Sequence, residues 1–171
     1  MRKILFVCTG NTCRSPIAEA FFNNLAQNDE ILKDEFYAES AGIAAYNGIQ
    51  ASEGARNVMK NEWDISLAGH HSRNIDADIA EDAFLILPMT YNQKENITAC
   101  FPGSAGITHV LQEYVNAFPK KPALSSARLL KYNITDPFGL PLQVYSQSAR
   151  EIRNAVIKLI EKLKIYVKIE I

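Results

Sequence analysis

The chain has 171 residues, of which 47% are hydrophobic and 22% charged, and its formal net charge is −1. That length is enough for one domain with a proper core, and the near-neutral balance argues against the basic footprint of a nucleic-acid binder. No apolar run approaches a membrane span, and three cysteines (Cys8, Cys13 and Cys100) are too few for a secreted disulfide framework.

Residues 2–7 read as a buried strand. Arg2-Lys3 ahead of Ile4–Val7 is a poor signal peptide, because the apolar stretch is short and polar residues from Thr9 to Ser15 interrupt it; a cytoplasmic protein is expected. Ser15 suits a helix N-cap and Pro16 the first helical position, while Glu19 falls one place late for a capping box. Ile17, Ala18, Phe21, Phe22 and Leu25 then form one apolar face of a helix ending near Asn28. A second strand is expected over 36–40, stopped by Ala41-Gly42, and a helix over 52–62. A third strand follows over 83–87, a helix over 90–100 ended by Phe101-Pro102-Gly103, and a fourth strand over 108–111. Residues 118–142 contain four prolines and mostly read as loop. Ile152, Ala155, Val156, Leu159, Ile160 and Leu163 keep helical spacing over three turns. In the atypical tail, 165–171, Val167, Ile169 and Ile171 alternate with Lys168 and Glu170. This is a strand-like pattern that adds an edge strand, pairs between chains or, by default for a terminus, frays. Alternating strands and helices imply a single α/β domain over 1–171. Its expected form is three layers, with an open, doubly wound, mainly parallel four-stranded sheet and helices on both faces. Ligands of such sheets bind beyond the carboxyl ends of the strands.

The segment Cys8-Thr9-Gly10-Asn11-Thr12-Cys13-Arg14-Ser15 falls at that end. A strand that passes through a glycine-containing loop into a helix N-terminus directs loop amides and the helix dipole at one spot, a ready anion site. Cys8 at its head places a thiol beside the anion, and Arg14 at its end can grip two anion oxygens with its planar fork. The thiolate is the attacking form, and the loop amides, Arg14 and the Ser15 hydroxyl all favour it. Gly10 frees the backbone to turn its amides inward, and Asn11 tolerates a left-handed backbone. On a phosphorylated substrate, Cys8 would displace the leaving group in line and form a thiophosphoryl-enzyme, with Arg14 and the amides holding the three equatorial oxygens. Asp136, in Asp136-Pro137-Phe138-Gly139, is the best-placed acid to protonate the leaving group and then activate water. The competing structural readings are a buried cysteine beside an ion-pairing arginine and a plain Asp-Pro turn. Metal binding is a poor reading, since Cys8 and Cys13 lack a zinc-like gap and only Cys100 and three histidines remain as partners.

At these residues the chain resembles the low-molecular-weight protein-tyrosine phosphatases, to about Leu163. Residues 7–19 match the family's opening signature, Ser40-Ala41-Gly42 its second-strand ending, and Gly69-His70 with Ser72-Arg73 one of its loops. Asp136-Pro137-Phe138-Gly139 matches its bacterial acid loop. The resemblance implies Cys8 as nucleophile, Arg14 as oxyanion clamp, Asp136 as general acid and Ser15 as a support of the thiolate. It implies a phosphate-binding loop of Thr9, Gly10, Asn11, Thr12, Cys13 and Ser15, with Asn11 held by Ser40 and His70. It implies no metal or organic cofactor, phosphorylated protein substrates and inorganic phosphate as product. It also implies that an oxidised Cys8 can be trapped by Cys13 as a reversible disulfide, and an aromatic pocket wall near Tyr46. Tyrosine-specific members are mostly apolar at the place of Thr12, whereas a bacterial branch resembling protein-arginine phosphatases carries Thr there. A hydroxyl can meet guanidinium N–H groups, and an apolar side chain packs better on a phenol. Phosphotyrosine and phosphoarginine both remain open.

An arsenate reductase shares this loop and fold, but its chemistry needs a further cysteine pair and only Cys100 lies downstream. A nucleotide-binding loop lacks its Gly-Lys-Ser/Thr ending. A non-catalytic phosphoprotein-binding module would tolerate loss of Cys8 or Asp136, yet both are present.

Overall fold

Ile4, Leu5, Phe6 and Val7 have no exposed surface, the pattern of a strand covered on both faces. In the computed structural model, which describes residues 1–116 and 130–170, that strand, β1 (Arg2–Cys8), is the centre of a parallel sheet. It pairs with β2 (Phe36–Gly42) on one side and β3 (Ala83–Pro88) on the other, in the order β2-β1-β3. Among the described residues six helices follow the strands: α1 (Arg14–Gln27), α2 (Glu53–Trp63), α3 (Ala77–Glu81), α4 (Tyr91–Cys100), α5 (Leu111–Asn116) and α6 (Leu142–Glu170). Short 3-10 segments cover Pro102–Ile107 and Leu130–Tyr132.

Alternation along the strands sorts the core into two. Ile4 and Phe6 face one way and pack with Ile17, Phe21 and Phe22 of α1, Val58 and Met59 of α2, and Ile152, Val156, Leu159 and Leu163 of α6. Leu5 and Val7 face the other way and pack with Ala80 of α3, Ile86 of β3 and Ile97 of α4. The carboxyl ends of β1 and β2 are thereby left free for the loop that follows Cys8. No helix among the described residues is long and apolar enough to cross a membrane.

Three expectations need correction. The sheet has three strands among the described residues, not four. Of 108–111, only Thr108 bridges β3, at Ile86, and Leu111 already opens α5. Thr108 lies between a 3-10 segment that ends at Ile107 and a helix that starts at Leu111, which leaves too few extended residues for a ladder. Ser15 does not cap α1. The helix starts at Arg14 with Cys13 in the cap position and no side-chain cap, because the Ser15 hydroxyl is used inside the loop.

The tail is not strand-like either: α6 runs from Leu142 to Glu170. Val167 prolongs the buried face of Leu159 and Leu163, Lys164 pairs with Asp29 at 2.5 Å, and the Tyr166 ring meets Phe84 edge-on at 5.4 Å. Residue 171 lies outside the described residues, as do 117–129 of the expected loop. The rest of that loop is non-helical from 133 to 141.

Candidate active site

The chain leaves β1 at Cys8 and turns under the end of β2. Ile43 N–H donates to the Cys8 carbonyl and Ala44 N–H to the Thr9 carbonyl, both at 3.0 Å. Gly42 makes this approach possible, since a Cβ there would sit 2.5 Å from the Thr9 oxygen. The left-handed residue of the loop is Asn11, at φ 54, and not Gly10. Its fully buried side chain explains how that conformation is held. Nδ2 donates to Ser15 Oγ at 2.9 Å and to Ser40 Oγ at 2.8 Å, and Oδ1 accepts from Arg73 N–H at 2.9 Å. The Asn11 carbonyl meets His70 Nε2 at 2.7 Å. A buried network satisfied at every polar atom fixes one geometry.

The network ends on the thiol. Ser15 Oγ lies 3.0 Å from Cys8 Sγ and 3.3 Å from the Ala41 carbonyl. With the Asn11 amide donating to Ser15 Oγ, the Ser15 proton has two places to go: the Ala41 carbonyl while Cys8 keeps its proton, or the sulfur once Cys8 is a thiolate. At the other end, Ser40 Oγ donates to Glu19 Oε2 at 2.5 Å. Burial pushes the Glu19 carboxyl up from its ordinary value, against the pull of Ser40, His70 and Arg73. Glu19 closes the matched signature and Arg73 stands in a matched loop, but neither position indicates in sequence that Glu19 accepts from Ser40 or that Arg73 N–H donates to Asn11.

Arg14 is 3% exposed and belongs to the first turn of α1. Its Nη1 donates to the Ile134 carbonyl at 3.2 Å and Nη2 to Asp136 Oδ2 at 2.6 Å. Its Nε is buried with no partner among the described residues, a donor held for an acceptor that these residues do not supply. Asp136 is half exposed, with a relative side-chain exposure of 51%, and its Oδ1 accepts from Phe138 N–H at 3.2 Å, which closes the turn after Pro137.

Cys8, Thr9, Gly10, Thr12, Cys13, Arg14 and Asp136 all line one cavity of about 350 Å³, walled also by Tyr46, Ile49 and Phe138. Asn11, Ser15, Ser40 and His70 stand behind it as supports, reaching it through the loop. Cys13 is a free buried thiol, as is Cys8. Cys13 donates to Ser52 Oγ at 3.1 Å and lies 3.7 Å from Tyr145 Oη; neither partner stood out in the sequence. Among the described residues, no group of three His, Cys, Asp or Glu side chains gathers where it could hold a metal ion. A thiol, a clamped guanidinium with a spare donor and a carboxyl at one mouth can bind a tetrahedral oxyanion and exchange a group on it.

The model of the family described as low molecular weight phosphotyrosine protein phosphatase matches residues 3–168. The chain belongs to that family. It is 35% identical over 162 residues to a protein-arginine-phosphatase of Geobacillus stearothermophilus, covering 95% of this chain and 96% of that one. It is 31% identical over 157 residues to the low molecular weight protein-tyrosine-phosphatase PtpB of Staphylococcus aureus, covering 92% and 96%. Among solved structures, an active-site Cys-to-Ser variant of the YwlE arginine phosphatase, with its active-site serine phosphorylated, superposes with a TM-score of 0.81 at 31% identity. That match covers 95% of each chain.

Proposed function

We propose that this protein hydrolyses phosphorylated protein side chains through a thiophosphoryl-enzyme on Cys8, with phosphoarginine as the preferred side chain, and that one domain spanning the chain carries the reaction. The observation that carries the reading is the shared cavity: the Cys8 thiol lines the same space as Arg14, whose buried Nε has no partner among the described residues. A phosphoryl oxygen supplies the acceptor that Nε lacks.

In the first step the Cys8 sulfur forms a bond to phosphorus while the bond from phosphorus to the leaving nitrogen or oxygen breaks. Asp136 gives its proton to the leaving group, and the Ser15 hydroxyl turns to the thiolate before attack. Asp136 is paired with Arg14 in the resting site. The incoming dianion competes for that guanidinium and frees the carboxyl, which takes up through solvent the proton that the Cys8 thiol gives up on becoming the thiolate. In the second step water attacks phosphorus, Asp136 takes its proton, the S–P bond breaks and inorganic phosphate leaves. The phosphorylated serine of the related arginine phosphatase variant supports a covalent intermediate at the nucleophile's place. Phosphoarginine is favoured by Thr12, whose hydroxyl can accept from guanidinium N–H groups, and by the 35% identical arginine phosphatase.

The test is kcat/KM on matched phosphoarginine and phosphotyrosine peptides for the wild type, Thr12→Ile and Cys8→Ser. The expected result is a phosphoarginine preference that shrinks by about tenfold in Thr12→Ile, with no turnover in Cys8→Ser. A phosphotyrosine preference indifferent to Thr12 overturns the substrate assignment, and turnover by Cys8→Ser near the wild-type rate overturns the nucleophile.

A further inference from the structure

Gln93 closes the capping box at the start of α4: Thr90 Oγ1 accepts from Gln93 N–H at 3.3 Å. Its side-chain Oε1 accepts from Met89 N–H at 2.9 Å and from Thr90 N–H at 3.1 Å. Two donors therefore fix which side of the amide is oxygen, and Nε2 is left facing away from the cap. It donates to Thr9 Oγ1 at 3.2 Å, across 84 residues of chain. The cap itself needs only an acceptor, and a glutamate would serve it equally. The amide nitrogen is the feature that capping does not explain. Gln93 is 3% exposed, so its donor was placed in the interior with a partner.

That partner belongs to the catalytic loop. Thr9 follows Cys8, lines the cavity with Cys8 and Arg14, and has its carbonyl held by Ala44 N–H at 3.0 Å. A hydroxyl has one proton and two acceptor sites. With Gln93 donating to it, Thr9 Oγ1 keeps its proton for another acceptor, and Thr9 is among the residues that line the cavity.

We propose that Gln93 is a positioning residue for the reaction, fixing the Thr9 hydroxyl as a hydrogen-bond donor to the phosphorylated side chain bound over Cys8. The proposal rests on the phosphatase reading of the cavity. The experiment is a double-mutant cycle on kcat/KM with a phosphorylated peptide, using Thr9→Val, Gln93→Met and the pair, with Thr9→Ser as the conservative variant. Thr9→Val and Gln93→Met should each lose about tenfold, the effect of one hydrogen bond to a charged group. The pair should fall no further than Thr9→Val alone, and Thr9→Ser should stay near wild type. Losses that multiply in the pair show that Gln93 acts on the α4 junction and not through Thr9, and overturn the proposal. So does a Thr9→Val enzyme with unchanged kcat/KM, a result that stands even where Gln93→Met fails to fold. A wild-type chain with no turnover overturns the phosphatase reading as well; turnover in the wild type with an indifferent Thr9 overturns this proposal alone.

Discussion

Asp136 carries two partners that pull it in different directions. Arg14 Nη2 holds one oxygen at 2.6 Å and Phe138 N–H the other at 3.2 Å, so the proton donation proposed for it requires the first bond to open. Asp136→Ala should therefore lower kcat by about a hundredfold on a substrate with a poor leaving group and far less on an activated aryl phosphate. Equal losses on both, in a leaving-group series, would remove it from proton transfer. Glu19 makes a prediction of the opposite electrostatic kind. Its carboxyl is pushed above the ordinary 4.5 by burial, so folding favours the protonated form. Its stabilising contribution is full below the ordinary value and is lost as pH rises through the raised one. Glu19→Gln should gain Tm relative to wild type as pH climbs from about 4 to about 8, and a difference constant over that range would refute the assignment. These roles were unevenly visible in the chain. Cys8 and Arg14 sit six residues apart between a strand and a helix with Gly10, Ser15 and Pro16, and that context, more than the spacing, singled them out. Arg73 and Gln93 meet the loop from other elements, and Glu19 reaches it only through Ser40, so nothing in their local sequence showed what they touch.

Local pattern read the elements well where one face packs continuously, and badly where two neighbours compete for the same residues. Phe21, Phe22 and Ile17 placed α1, and four consecutive apolar residues placed β1. At 108–111 the segment Thr108-His109-Val110-Leu111 looked like a strand, yet the chain turns into α5 at Leu111. In the tail the alternation of Val167 with its charged neighbours suggested a strand. The register inherited from Leu159 and Leu163 makes the same valine a buried helical residue. Packing between elements can be tested at Gly54 of α2. A Cβ there would meet the Tyr145 ring of α6 at 2.6–2.8 Å, and Tyr145 is buried against Cys13. Alanine gains about 1 kcal/mol of helix propensity, but overpacking costs about 1–3 kcal/mol. Gly54→Ala should come out destabilised in urea unfolding, and a stabilised variant would show that the ring has room to move.

Across the whole molecule, α6 ties the last residues of the chain to the first. Arg2 stacks over the rings of Phe36, Phe84 and Tyr166 at 4.5, 5.4 and 5.1 Å. Removing residues 165–171 uncovers that cluster and deletes buried Val167. It should cost about 2 kcal/mol in urea unfolding while leaving kcat/KM unchanged, since no residue of the cavity is touched. An equal loss of activity at full folding would tie the tail to the site. The site itself is assembled from distant parts: Arg14 reaches Asp136 across 122 residues, and Cys13 approaches Tyr145 across 132. A chain emerging from the ribosome therefore presents its reactive thiol early and its acid late. Until residue 136 has been made and docked, the nascent protein holds the Cys8 thiol without the carboxyl that shares its cavity in the finished fold. Completion of synthesis therefore decides when the site becomes whole: a stalled chain that ends short of residue 136 lacks both the carboxyl that pairs with Arg14 and the face of α6 that packs on α1.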